Sequence, residues 1–417
     1  PGASGPADAR REAGRRWEAL LSEIRSRPGL GDFWAVPTID RLRRQARDGH
    51  VVLVMAGREG GSALILADDP AEPVRHLPLP GLGSDKAREQ VLHLRRALRG
   101  TARPASAGAG TAPHGTSVND VLGWLWDAVA GPVLAAAGHT AAPEPGRAWP
   151  RIWWCPVGVV AGLPLHAAGH HPGLTPESDD PDTVLDRVVS SYTPTIRALG
   201  YAREAPAATE HAGERPAADN ALIVAVPAAP GTAPLPGVET EVRLLRPLLP
   251  DAFVLTGPQA VRDIVLTALP RCAVAHFACH GVSDWADPET GRLILHDHET
   301  KPLTLGRVSG LDLAEAELVY LSACSTGDAI PRLADEAVHM TGAFQLAGYR
   351  NVVGTLWPIS DRAASSIAAG FYERLTDGGR RPADVDGAAH ALHESVRAYR
   401  AVNPSPARWA AHVHVGP

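Results

Sequence analysis

Two stretches of sequence decide the fold: Ala-His-Phe-Ala-Cys-His-Gly at residues 275–281 and Val-Tyr-Leu-Ser-Ala-Cys-Ser-Thr-Gly at residues 319–327. Each begins as a short apolar run and ends in polar residues and a glycine, the pattern of a buried strand that stops at a loop. The first stretch ends near His280 and the second near Cys324. Because the carboxyl ends of parallel strands meet at one edge of a sheet, we expect these two residues to be neighbours.

The sequence around these stretches alternates short apolar, β-branched runs with amphipathic patterns. This alternation predicts an α/β fold in which a mainly parallel sheet is flanked by helices on both faces. The predicted strands are 151–157, 222–226, 253–256, 273–278, 318–323, 351–356 and 412–416. The predicted helices are 238–248, 261–269, 334–346, 362–375 and 383–399.

Three segments precede this α/β region, which we predict to span 118–417. Residues 1–28 contain an amphipathic pattern, and because the chain starts at Pro1 we interpret this helix as the remnant of a longer helical region. Residues 29–100 predict a small α+β subdomain. Its predicted strands are 51–55, 63–67 and 75–79, and its predicted helix is 87–98. Residues 101–117 are rich in Ala, Gly, Thr and Pro, which is typical of a flexible linker.

Composition excludes several function classes. The chain has 417 residues, 45% of them hydrophobic, and a net charge of −6, so it can bury a core but lacks the positive charge that would draw it to nucleic acid or anionic lipid. No apolar run approaches the ~18 residues of a membrane helix, and no signal peptide is evident, so we expect a cytoplasmic protein without membrane contact. No glycine-rich stretch has the features of a nucleotide site, and we expect no cofactor.

His280 and Cys324 are the types of residue that nucleophilic catalysis needs. A thiol of ordinary pKa is mostly protonated at neutral pH, and a neighbouring imidazole can accept its proton to give the nucleophilic thiolate. The backbone amides of Gly281 and Cys324 are candidates for an oxyanion hole, since a side chain at position 281 would obstruct a substrate. The alternative is that Cys324 is a buried core cysteine and His280 an ordinary surface histidine.

Two other chemistries are open to the same residues. A zinc site would need Cys272, His276, Cys279 and His280 together, but the two-residue period of a strand places the histidines and Cys279 on opposite faces. We therefore predict no metal. A redox role for Cys279 and Cys324 lacks a Cys-x-x-Cys motif.

Several motifs, in order along residues 118–417, resemble those of the CHAT family of caspase- and separase-like cysteine peptidases. Besides the two stretches quoted first, they are Leu-Pro-Gly-Val-Glu-Thr-Glu at 235–241, Asp-Glu at 335–336, Ala-Phe-Gln-Leu-Ala-Gly at 343–348, Gly-Thr-Leu-Trp-Pro-Ile-Ser-Asp at 354–361 and Trp-Ala-Ala-His-Val-His-Val-Gly at 409–416. The Gln-Ala-Cys signature of caspases is absent, so only the wider clan is shared with them. The resemblance implies a caspase-like fold and a cysteine endopeptidase with His280 as base and Cys324 as nucleophile.

The resemblance to separase also implies a substrate pocket. It places an acid at Asp361, beside Trp357, near the pocket that holds the residue preceding the scissile bond (P1), where it would attract Arg or Lys. The alternative is that Ser360 or Asp361 is an ordinary N-cap of the following helix. Asp284 and Asp328 are further candidates to line the pocket, or are simply solvated.

Family members are often joined to tetratricopeptide (TPR) helices or act in bacterial multi-protein systems. The resemblance therefore implies a bacterial protease that acts on a protein substrate and is controlled by a TPR or other sensor partner. The alternative from another class is a CHAT module that serves as a catalytically idle binding scaffold.

Overall fold

A computed structural model describes residues 6–31, 33–101, 116–171, 182–204, 220–282, 291–313, 315–322, 324–325 and 336–417. The predicted linker lies mostly outside these ranges. Within them, no helix is long and apolar enough to cross a membrane.

An eleven-stranded sheet forms the centre of the molecule, with strand order β3-β2-β1-β4-β5-β15-β14-β12-β8-β6-β7. Its strands are β1 (Gly49–Ala56), β2 (Gly61–Leu66), β3 (Val74–Leu79), β4 (Arg151–Val157), β5 (Val189–Tyr192), β6 (Ala221–Ala225), β7 (Phe253–Thr256), β8 (Val274–Ala278), β12 (Leu318–Leu321), β14 (Asn351–Thr355) and β15 (His412–Val415). A second sheet, in the order β11-β10-β9-β13, consists of β9 (His280–Val282), β10 (Arg292–Ile294), β11 (Leu303–Thr304) and β13 (Cys324–Ser325).

The large sheet has two parallel halves that run in opposite directions. In one half, β1, β4, β5 and β15 run parallel to one another, and in the other half β14, β12, β8, β6 and β7 do. The halves meet at the antiparallel pair β14–β15. The mainly parallel sheet predicted from the sequence is therefore confirmed. The segment 29–100 contributes β1 to β3 as an extension of this same sheet.

Thirteen α-helices connect and cover the strands in the described residues. They are α1 (Pro6–Arg25), α2 (Ile39–Arg43), α3 (Ser84–Thr101), α4 (Val118–Leu125), α5 (Gly131–Ala136), α6 (Ile196–Arg203), α7 (Gly237–Leu245), α8 (Arg262–Ala268), α9 (Leu305–Ser309), α10 (Glu336–Ala347), α11 (Asp361–Leu375), α12 (Ala388–Val402) and α13 (Pro406–Trp409). A π-helical turn at 126–130 joins α4 to α5, and Ser117 and Asp120 form a capping box that starts α4.

Helices cover both faces of the half that contains β8. His276 of β8 packs edge-on against Tyr372 of α11, whereas the next residue, Phe277, packs against Phe344 of α10. Successive side chains of a strand point to opposite faces, so α10 and α11 lie on opposite sides of the sheet. All four of these side chains are fully buried, and burying each aromatic ring stabilises the fold by roughly 1.5–3 kcal/mol.

Candidate active site

Four strand ends build the candidate site. Because β6, β8, β12 and β14 are parallel, their carboxyl ends lie at one edge of the sheet, which we call the carboxyl edge. The segments that leave this edge are the 226–236 loop, β9, the residues after Leu321, and the residues leading into α11.

His280 and Cys324 are register partners at the carboxyl edge. After Ala278 the chain bends at Cys279 and continues as β9, while β13 follows β12. β9 and β13 pair in parallel, with Cys324 opposite His280 and Ser325 opposite Gly281. The backbone positions of the predicted base and nucleophile are therefore adjacent, as expected from the sequence. Gly281 lies in a strand with a neighbour on each side, β10 and β13.

A backbone carbonyl fixes the orientation of the His280 imidazole. Its Nε2 lies 2.8 Å from the carbonyl oxygen of Ala233 in the 226–236 loop. A carbonyl oxygen only accepts hydrogen bonds, so Nε2 carries the proton and, in the neutral ring, Nδ1 carries the lone pair. Nδ1 is therefore the nitrogen that can accept a proton.

The carboxylate of Asp361 caps a neighbouring helix. Ser360 is the N-cap of α11, and its hydroxyl accepts a hydrogen bond from the amide of Ala363. Asp361 Oδ2 instead accepts a hydrogen bond of 2.8 Å from the amide of Gly237, the first residue of α7. A Cβ at position 237 would lie 2.2 Å from the Asp361 Cβ, so only glycine allows this approach. Asp361 is thus tied to the segment that begins four residues after Ala233.

A buried glutamate that was not among the predicted site residues connects the two strand ends. Glu241 of α7 places Oε1 3.0 Å from His276 Nε2 and accepts a hydrogen bond of 3.1 Å on Oε2 from the Ser322 hydroxyl. The Glu241 and His276 side chains are 4% and 0% exposed. One sequence signal could have found it: Val238, Glu241 and Leu245 are the buried positions of α7, so this glutamate lies within the apolar stripe of an amphipathic helix.

A comparison of the sequence with known protein families agrees with this arrangement of strand ends. The family model of the CHAT domain matches residues 119–417. The chain belongs to the CHAT-domain family.

A solved structure shows the class of fold of this CHAT domain and the segment before it. Saccharomyces cerevisiae separase in its complex with securin aligns with a TM-score of 0.60 and 9% identity, over 90% of this chain and 30% of the separase chain. The chain thus spans under a third of that relative, and the similarity establishes a caspase-like α/β fold. The Arg-specific cysteine proteinase gingipain R aligns with a TM-score of 0.40 and 12% identity, over 70% of this chain and 68% of the other. No curated protein sequence matches the chain.

Of the other three predicted pocket residues, the structure describes only Trp357. Trp357 is 6% exposed and its indole N–H donates a hydrogen bond of 3.0 Å to the carbonyl oxygen of Ala407. The indole therefore ties the residues that follow β14 to α13. Asp284 and Asp328 lie outside the described residues.

The remaining cysteines differ in their surroundings from an activated thiol. Cys155, Cys272 and Cys279 are buried. Burial raises the pKa of Cys155 to about 11 and raises that of Cys272 above its ordinary value, which keeps both thiols protonated at neutral pH. Among the described side chains, no three His, Cys, Asp or Glu residues are placed to hold a metal ion.

Proposed function

We propose that this protein is a cysteine endopeptidase in which Cys324 is the nucleophile and His280 the base. The observation that carries the proposal is the register of β9 and β13, in which Cys324 is the direct partner of His280. The hydrogen bond from His280 Nε2 to Ala233 supports it, since it leaves Nδ1 as the proton acceptor.

In the proposed mechanism, His280 Nδ1 accepts the Cys324 proton and the thiolate attacks the scissile carbonyl carbon. The amides of Gly281 and Cys324 stabilise the oxyanion of the tetrahedral intermediate. His280 returns the proton to the leaving amine as the acyl-enzyme forms. Water, deprotonated by His280, then hydrolyses the thioester and regenerates the thiol. The reaction needs no cofactor.

We further propose that substrates carry Arg or Lys at P1 and that Asp361 attracts this side chain. Its capping contact with Gly237 supports a place near the dyad, because Gly237 follows the loop whose Ala233 carbonyl holds His280. A rigid carboxylate is well suited to bind a guanidinium. We propose Trp357, Asp284 and Asp328 as further parts of this pocket.

Control by a protein partner is part of the proposal. The separase with the same fold was solved in complex with securin. We propose that a TPR region or another sensor protein similarly binds this CHAT domain and governs its activity in the cytoplasm of a bacterium.

The proposal is tested by peptide cleavage with a library varied at P1, comparing the wild type with Cys324→Ala and His280→Ala. We expect cleavage after Arg or Lys that is lost in both variants by at least about 10³-fold, as for catalytic nucleophiles and bases elsewhere. Labelling of Cys324 by a peptidyl electrophile, dependent on His280, would identify a competent site in a protein that awaits its partner. Neither cleavage nor labelling would favour the idle scaffold.

A further inference from the structure

We propose that Glu241 is a positioning residue that holds the strand ends bearing His280 and Cys324 in catalytic register. The inference rests on the proposed dyad and deepens it. The Glu241 carboxylate bonds to His276, four residues before His280, and to Ser322, two residues before Cys324.

Each oxygen of the Glu241 carboxylate accepts a hydrogen bond from a different strand end. Oε1 accepts from the Nε2–H of His276, and Oε2 accepts from the hydroxyl of Ser322. The His276 Nδ1 atom is buried without a hydrogen-bond partner in the described structure. In the neutral ring the proton is therefore on Nε2, where it meets the carboxylate, because a proton on Nδ1 would be an unsatisfied buried donor.

Aromatic packing makes this bridge rigid. The His276 ring stacks on Tyr320, its register partner on β12, at a centroid distance of 5.1 Å, and packs edge-on against Tyr372 at 5.6 Å. The Glu241 carboxylate also adds to burial in raising the pKa of Tyr372 well above its ordinary value. The Glu241 carboxylate therefore lies in the buried interface between helices α7 and α11 and strands β8 and β12.

Stability alone does not account for a carboxylate at this position. Removing a carboxylate from water costs several kcal/mol, and apolar groups of similar volume can fill such a site with equal or greater stability. What an apolar side chain cannot supply is a directional bond to each of two separate strands. Glu241 supplies both, and it thereby fixes the offset of β8 and β12 just before the dyad residues. A shift of about 1 Å in such an offset can slow catalysis about 10²-fold.

A double-mutant cycle with Glu241→Gln and Ser322→Ala tests the inference. Glutamine keeps the volume of the side chain but has one oxygen in place of two and no charge, so it cannot keep both charge-assisted acceptor contacts. We expect each single variant to lower kcat/KM and the rate of Cys324 alkylation by iodoacetamide by about 10- to 100-fold. The double variant should be no slower than the worse single variant, because both changes break the same bridge. Ser322→Thr, which keeps the hydroxyl, should retain the activity.

The matched control is Ser191→Ala. It too removes a serine hydroxyl that makes a hydrogen bond within the sheet, here at 2.9 Å from His414 Nδ1 and in the other half. It should lower the urea midpoint and leave the alkylation rate of Cys324 unchanged. Alkylation is followed against a Cys324→Ala background to subtract the other cysteines.

The outcomes separate the two levels of the proposal. If wild-type Cys324 reacts no faster than a thiol in the unfolded chain and no peptide is cleaved, the dyad itself is wrong and the role of Glu241 falls with it. If wild-type Cys324 is reactive and the Ser322→Ala and Glu241→Gln proteins react as fast, only the positioning role is wrong. The positioning role is also wrong if the two changes lower only the urea midpoint, or if their effects on the alkylation rate of Cys324 are additive. Ser322→Ala tests the bridge even if Glu241→Gln does not fold.

Discussion

Asp361 combines a structural contact with a charge, and the two can be separated by mutation. Its Oδ2 atom accepts the Gly237 amide hydrogen at the start of α7. An asparagine oxygen can accept the same bond, whereas the negative charge that would attract a basic P1 side chain disappears.

We predict that Asp361→Asn lowers kcat/KM for peptides with P1 Arg by about 10- to 100-fold, the size of a lost charge-assisted hydrogen bond of roughly 1.5–3 kcal/mol. Its urea midpoint should stay close to that of the wild type. Asp361→Ala should lose the P1 preference and also about 1 kcal/mol of stability, as for loss of a helix cap. If Asp361→Asn keeps the P1 preference and Asp361→Ala is less stable, Asp361 caps α7 and does not bind the P1 side chain.

At this scale the sequence predicted that His280 and Cys324 would be neighbours, because each follows directly from where an apolar strand ends, and the register of β9 and β13 places their backbones side by side; their catalytic roles stay a prediction. It left the role of Asp361 open, since an acid at the start of a helix has the same local sequence whether it caps its own helix or another one. The structure assigns the cap of α11 to Ser360 and the cap of α7 to Asp361. That contact joins residues 124 positions apart, which no local pattern reveals.

At the scale of elements, the packing of α10 on β14 is tight at one position and open at another. A Cβ at Gly354 of β14 would lie 2.8 Å from Thr341 Cγ2 of α10. A Cβ at Gly342, the next residue of α10, would meet no heavy atom within 4 Å.

We predict opposite effects for the same chemical change at these two glycines. Gly354→Ala should destabilise the protein by about 1–3 kcal/mol, because the added methyl group overpacks a buried contact. Gly342→Ala should stabilise it by about 0.5–1 kcal/mol, since alanine loses less backbone freedom in a helix. Urea unfolding measures both. Equal shifts in the two variants would contradict the packing described for Gly354.

Most strands and helices were predictable because their apolar patterns are long enough to show a period. β5 escaped prediction since Val189–Tyr192 contains only four residues and two of them are serines. The strands of the second sheet have two or three residues each, which is too short for a pattern. They form because the chain segments meet in space. Glu241 was missed for a related reason: a charged residue in an amphipathic helix is ordinarily assigned to the solvent face.

At the scale of the whole molecule, a set of buried histidines makes stability depend on pH. His166, His393, His412 and His414 line a cavity of about 30 Å³ beside α12. Burial is the first cause in lowering the pKa of His166 and His393 to about 3 and that of His412 to about 4. The pKa of His414 is also well below its ordinary value for this reason.

We predict that the protein loses stability as the pH falls from about 6.5 toward 4. These imidazoles remain neutral in the folded state, whereas in the unfolded chain they bind protons below a pKa of about 6.5, so acid favours unfolding. Each of the four histidines contributes roughly 2 kcal/mol to the loss of stability at pH 5.

Urea midpoints at pH 7.5, 6.5 and 5 should decrease in that order, and His393→Phe should reduce the slope, which is the dependence of the midpoint on pH. The matched control is the exposed His76, whose replacement by alanine should leave the slope unchanged. Equal midpoints at pH 7.5 and 5 would refute the prediction.

The overall architecture was predictable only in part. Alternating strands and helices indicate a parallel sheet, and the sheet is mainly parallel. The direction and place of the final predicted strand could not be deduced, because strand direction is set by distant partners rather than by local sequence. The two registers of β15, antiparallel to β14 and parallel to β5, are properties of the assembled sheet.

The central place of β15 also imposes an order of assembly in time. Every other strand of the large sheet precedes residues 412–415 in the chain, and β15 is the strand that links β5 to β14. During synthesis from the N-terminus, both of those strands are made with one edge unpaired, and unpaired edges are prone to join other chains. The two halves can close into one sheet only after the His-Val-His-Val segment emerges. A nascent chain therefore cannot complete the sheet that carries the candidate site until residues 412–415 have been made.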